Sequence, residues 1–158
     1  MRIKTYATAG ISFFLIYPIM KANNAPESAQ GKDEICMGKV TVAVIGCGSI
    51  ANSAHIPSYI HNPGVQIKWF CDIIPERALE AVSTYGCGQA VTDYRELLND
   101  GELDAVSICT PNNMHAQISI DFLRAGKHVL CEKPAARTYE EAVTMQKAQK
   151  ETGKILNI

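Results

Sequence analysis

The sequence predicts an α/β fold, a parallel sheet wound on both faces by helices. Three observations predict it. From residue 39 onward, short apolar runs rich in β-branched residues alternate with segments of helical period, the pattern of successive strand–helix units. The first run, Val40 to Ile45, carries no charge, so both of its faces are expected to be buried, as in a parallel sheet. That run stops at Gly46-Cys47-Gly48 and gives way directly to a helical segment.

Taken in order, Val40 to Ile45 is the first strand, and a helix follows from about Ser49 to Ile60. Pro57 lies inside that helix and should kink or restart it, because proline has no N–H and clashes with the preceding turn. Val65 to Cys71 is the second strand. Pro75 to Tyr85 is a helix with proline in its first turn and Gly86 after its end, the expected asymmetry. Its apolar stripe reads as Ala78, Leu79, Val82 and Tyr85. A short strand is expected near Ala90 to Thr92. Asp93 then caps a helix, with Glu96 at capping-box spacing. Asp104 to Cys109 is a strand, Asn113 to Ala125 a helix stopped by Gly126, and His128 to Cys131 a short strand. Thr138 and Glu141 open a helix that runs to about Thr152, with Gly153 as its stop. Lys154 to Ile158 begins one more strand. Right-handed crossovers would connect these strands, and ligands in such sheets bind beyond the C-terminal strand ends, where the strand order reverses.

Composition bounds the function classes. The chain has 158 residues, 47% hydrophobic and 20% charged, enough for one packed domain and against disorder. Its net charge of −1 gives no electrostatic footprint for nucleic acid or an anionic membrane, and neither partner is expected. The six cysteines, Cys36, Cys47, Cys71, Cys87, Cys109 and Cys131, form no Cys-x-x-Cys pair, so no metal site is expected. Four of them end apolar runs and read as small buried residues in a reducing compartment.

Residues 1–38 differ from the rest. Arg2 and Lys4 precede an uncharged run, Thr5 to Met20, and then a polar stretch, which is the layout of a signal peptide. Pro18, the lack of an Ala-x-Ala site and Lys21 at the expected cleavage region argue against export, and the run is shorter than the roughly 20 residues that span a bilayer. Met37 is also a natural opening for a strand-first domain. Residues 1–38 are therefore set apart as a tail or leader, with residues 39–158 as the domain. A cytoplasmic location is expected, with export or membrane anchoring by residues 1–25 as the alternative.

The glycine turn carries the first chemistry. Gly46-Cys47-Gly48-Ser49-Ile50-Ala51 fits Gly-x-Gly-x-x-Gly/Ala, the dinucleotide fingerprint of a Rossmann-type doubly wound sheet. Gly46 permits the sharp turn, Gly48 lets the backbone approach a diphosphate, and Ala51 lets the helix pack closely on the sheet. The first helical N–H groups, Ser49 and Ile50 among them, then face the phosphates. Asp72 ends the second strand, 26 residues after Gly46, the place of the acid that bonds the adenosine ribose hydroxyls. A carboxylate there favours NAD over NADP, although Arg77 nearby softens the preference. A plain strand–turn–helix, a helix-capping role for Asp72, and a methyltransferase that uses the same turn for S-adenosylmethionine all remain open on these residues alone.

Two further stretches, Thr110-Pro111-Asn112-Asn113-Met114-His115 and Glu132-Lys133-Pro134, each follow a predicted strand. With GCGSIANSAHIP they resemble the N-terminal domain of the glucose–fructose oxidoreductase / inositol dehydrogenase (Gfo/Idh/MocA) family, over essentially all of residues 39–158. The resemblance implies an NAD(P)-dependent oxidoreductase acting on a hydroxylated carbon of a sugar, cyclitol or related substrate. It implies that Lys133 is catalytic, placed where nicotinamide meets substrate. Thr110, Pro111, Asn112 and His115 would line the nicotinamide side. Glu132 would orient the lysine or contact the cofactor ribose, and Pro134, through a cis Lys133–Pro134 bond, would fix the loop. His55 is read as a structural neighbour of the site. Members carry a second, C-terminal α/β domain that supplies substrate groups and commonly a histidine base. This sequence offers no such domain, so a fragment, a truncated product, half of a two-chain enzyme and a non-catalytic NAD(H)-binding module are the alternatives. Substrate identity and oligomeric state are not legible.

Overall fold

The computed structural model describes residues 39–158. The expected leader and the Met37 start lie outside the described residues. The described part is a single six-stranded parallel sheet of order β3-β2-β1-β4-β5-β6. The strands are β1 (Val40–Ile45), β2 (Val65–Cys71), β3 (Gln89–Val91), β4 (Ala105–Ile108), β5 (His128–Cys131) and β6 (Leu156–Asn157). Between them run α1 (Ile56–Ile60), α2 (Pro75–Tyr85), a 3₁₀ turn (Tyr94–Leu97), α3 (His115–Arg124) and α4 (Tyr139–Thr152).

Alternate residues of each central strand feed opposite cores. Val40, Val42 and Val44 join Ile56, Tyr59, Phe70, Ala78 and Ala81 under α1 and α2. Ala43 and Ile45 join Val106, Ile108, Phe122, Leu123, Val129 and Met145 under α3 and α4. Every residue of β1, β4 and β5 is buried, which explains why these strands read as apolar runs without alternation. The sheet is thus doubly wound, as expected. No helix among the described residues is long and apolar enough to cross a membrane.

Several elements differ from expectation for identifiable reasons. The stripe on α2 is Ala78, Ala81, Val82 and Tyr85, while Leu79 is 60% exposed. Asp93 does cap, but it accepts from the Arg95 N–H, and the helix is one 3₁₀ turn. The chain must turn again at once, because Asp100 is held by Lys68 Nζ and Trp69 Nε1 from β2. α3 starts at His115 rather than Asn113, since the Met114 and His115 N–H groups close a turn on the Pro111 and Asn112 carbonyls. Pro57 acts as predicted. The helix ahead of it widens to a π-helical turn, Ala51–His55, in which the Ile56 N–H reaches the Ala51 carbonyl. Widening by one residue relieves the clash that a proline imposes on an α-helical turn.

The register aligns the strand ends. Ile45 pairs with Cys71 on one side and Ile108 on the other, Cys71 pairs with Val91, and Ile108 with Cys131. The residues that leave these strands, Gly46, Asp72, Thr92, Cys109 and Glu132, therefore emerge along one edge of the sheet.

Candidate active-site edge

Strand order reverses between β1 and β4, and a cleft of about 660 Å³ opens there. Ile45, Gly46 and Gly48 form one wall, Cys109, Thr110 and Pro111 the other, and Asp72, Ile73, Ile74 and Arg77 the end beyond β2.

Gly46 has φ +92°, and a Cβ there would lie 2.8 Å from the Cys109 carbonyl carbon and oxygen. Only glycine can turn the chain this close to the end of β4. A Cβ at Gly48 would meet nothing within 4 Å, so that position is open for a ligand to approach backbone. Ala51 is fully buried beneath the sheet, as its packing role requires. Ser49 and Ile50 are exposed. The Asn52 N–H closes the first turn on the Gly48 carbonyl, so the amides just before it lack a partner earlier in the helix and face outward at its positive end.

Asp72 is buried and joins two parts of the site. Its Oδ2 accepts from the Cys47 N–H at 2.9 Å, and its Oδ1 accepts from the Ile74 N–H at 2.9 Å. It therefore shapes the glycine turn and the loop that leads into α2 while lining the cleft; it does not cap α2, whose N-cap Ile74 has no side-chain cap bond. Ile73 is 87% exposed beside it, an apolar surface suited to a flat heterocycle. Beside Gly46, burial pushes the thiols of Cys47, Cys71 and Cys109 up to about 12. They stay protonated and serve as small apolar filling.

At the neighbouring strand end, His115 is 1% exposed. Its Nδ1 lies 2.8 Å from the Pro134 carbonyl and its Nε2 2.8 Å from the Thr110 carbonyl. The ring ties the two loops together, with neither nitrogen left over for a ligand. Asn112 is exposed and off the cleft wall; Asn113 and Met114 line it instead. The Thr110 hydroxyl is buried without a hydrogen-bond partner. The Lys133–Pro134 peptide is cis. Lys133 is exposed, and no hydrogen bond or ion pair holds its ammonium among the described residues.

The sequence did not point to Ser107, which His55 contacts, or to Ile73 and Ile74, which line the cleft. The signal for the second was two large apolar residues placed directly after an acid, in a loop.

A family model described as "oxidoreductase family, NAD-binding Rossmann fold" matches residues 40–158. The chain belongs to the Gfo/Idh/MocA oxidoreductase family. Among the relatives of this family member is a levoglucosan dehydrogenase of Pseudarthrobacter phenanthrenivorans, 36% identical over 73% of this chain and 31% of that protein. Another is a D-glucoside 3-dehydrogenase of Escherichia coli, 32% identical over 79% of this chain and 36% of that protein. Among solved structures, a 3-ketoreductase from Actinomadura kijaniata in complex with NADP and TDP-benzene superposes with a TM-score of 0.71 at 32% identity, covering 75% of this chain and 36% of that one. A dehydrogenase from Bordetella pertussis in complex with NADH and UDP-GlcNAcA gives 0.70 at 29% identity, covering 78% and 36%. The chain spans about a third of the length of these relatives.

The residues present fit a dinucleotide. The open face at Gly48, the acid ending β2 and Thr110 with its orphaned hydroxyl line one cleft.

Proposed function

We propose that this chain is the cofactor-binding part of an NAD(P)-dependent oxidoreductase that moves hydride between nicotinamide and a hydroxyl-bearing carbon of a sugar, cyclitol or similar small molecule. The observation that carries the reading is the placement of Lys133. It stands at the end of β5, on the same sheet edge as the glycine turn, exposed and with its ammonium unengaged.

The cofactor supplies the hydride acceptor or donor when bound. The chain's own residues do the rest. The amides of Ser49 to Ala51 hold the diphosphate, and Asp72 takes the adenosine ribose hydroxyls. The side chains of Ile73 and Ile74 cover the adenine. Thr110 and Pro111 line the wall toward nicotinamide. Lys133 donates to the substrate oxygen and favours the negative charge that builds on it as hydride leaves. His55 and His115 are buried and engaged at both nitrogens, so no histidine among the described residues stands free at this edge as proton acceptor.

Titration of the chain with NADH tests the reading, followed by energy transfer from Trp69 and by calorimetry. One site is expected, weakened at least tenfold in Asp72→Ala. An absence of binding at millimolar NADH in a folded sample, or displacement of NADH by S-adenosylmethionine, would overturn it.

A further inference from the structure

Neither the glycine turn nor the Glu-Lys-Pro stretch accounts for His55. It closes the π-helical turn and is 1% exposed. Its Nδ1 lies 2.8 Å from Ser107 Oγ in the middle of the sheet, and its Nε2 lies 2.8 Å from Glu132 Oε1. A carboxylate only accepts, so Nε2 carries a proton in either charge state of the ring. In the neutral ring, Nδ1 then accepts from the Ser107 hydroxyl. The other Glu132 oxygen, Oε2, accepts from the Lys133 N–H at 3.2 Å. The Tyr59 hydroxyl lies behind Ser107, fully buried and without a bond of good geometry.

A line of polar groups thus runs from the core, through His55, to the backbone of the exposed lysine. Buried polar groups are unfavourable unless paired, and an apolar residue would fill the same helix–sheet gap. This line ends at the sheet edge that carries the cleft rather than inside the core, and the side chain of Glu132, its last, is 18% exposed. The π-helical turn supports the same conclusion. Each added residue rotates the following side chains by about 100°, and the widened turn brings His55 to face the sheet.

We infer that His55 is a positioning residue. It fixes the Glu132 carboxylate, and through it the Lys133 backbone, so that the lysine ammonium meets the nicotinamide end of the cofactor. The inference rests on the assignment of Lys133 to that end made above.

The test uses isotope-labelled 158-residue chain with NADH, observed by intermolecular nuclear Overhauser effects. Wild type should show contacts from adenine protons to the Ile73 and Ile74 methyls and from nicotinamide protons to the Lys133 methylenes. His55→Ala should keep the adenine contacts and lose the nicotinamide–Lys133 contacts. His55→Gln should keep both, because its amide can donate to Glu132 while its carbonyl accepts from Ser107. Ser107→Ala removes only a hydroxyl and carries the test should His55→Ala fail to fold; it should weaken the nicotinamide–Lys133 contacts at least twofold. Unchanged nicotinamide–Lys133 contacts in His55→Ala, or in Ser107→Ala where it alone folds, would overturn the inference. So would their equal loss in His55→Gln, or wild-type adenine contacts without lysine contacts. Folded wild type with neither kind of contact would remove the coenzyme reading itself, and this inference with it.

Discussion

The glycine turn and the lysine loop share one edge of the sheet but are held in different ways. The turn is fixed by the ends of the two adjacent strands: the Gly46 N–H donates to the Cys71 carbonyl, the Cys47 N–H donates to the Asp72 carboxylate, and the absence of a Cβ at Gly46 lets the turn pass against the end of β4. The loop is fixed by side chains from remote segments. His55 reaches Glu132 across 77 residues, and His115 on α3 reaches the Pro134 carbonyl. The first region leaves backbone open at Gly48, and the second leaves the Lys133 side chain exposed.

The difference is open to attack by substitution. Gly46→Ala should have the largest effect. It combines a disfavoured positive φ with overlap against the Cys109 carbonyl, and should cost about 3 kcal/mol in denaturant unfolding and abolish NADH binding. Asp72→Ala strands two backbone N–H groups and should lower stability by about 2 kcal/mol, in addition to its tenfold loss of affinity. Gly48→Val separates folding from binding. With nothing near its Cβ, it should change unfolding by less than about 0.5 kcal/mol, yet weaken NADH about tenfold, or about 1.4 kcal/mol. Lys133→Ala should leave both stability and NADH affinity within about twofold, while removing turnover from a version carrying the relatives' additional length.

A control outside both regions concerns Asp100. Its partial burial would raise the carboxyl, but the Lys68 ammonium, the Trp69 indole and the Glu102 N–H outweigh it and hold the group at about 2, below its ordinary 3.8. Its stabilising share is therefore complete above about pH 4 and lost as pH falls toward 2. Asp100→Asn should flatten the acid limb of a thermal-unfolding profile between those values, because it lowers stability above about pH 4 and changes it little near pH 2. It should move neither the turn nor the loop.

The same contrast explains what was legible in the sequence. The strands and α2 could be placed closely because each carries local signals: β-branched runs, Pro75, Gly86. The places of Gly46, Gly48 and Asp72 at the turn and the strand end could be read from spacing because their neighbours lie along the chain or across one strand pair. The His55 contacts could not, since no local pattern says that His55 will meet Ser107 and Glu132. That contact depends on a π-helical turn and on the register between β4 and β5. His115 shows the limit of motif reading: the resemblance implies a place on the nicotinamide side, but the residue lies behind the cleft wall with both its nitrogens engaged with carbonyls. Leu79 was misplaced because the stripe on α2 follows the two alanines that let the helix lie close to the sheet.

The central claim is that the backbone at the start of the first helix receives a diphosphate. Amide ¹H–¹⁵N shifts of the labelled chain on addition of NADH test it most directly. Large, saturable shifts are expected at Ser49, Ile50 and Ala51, together with Asp72 and Ile73. Saturable binding that leaves those three amides unmoved would contradict it.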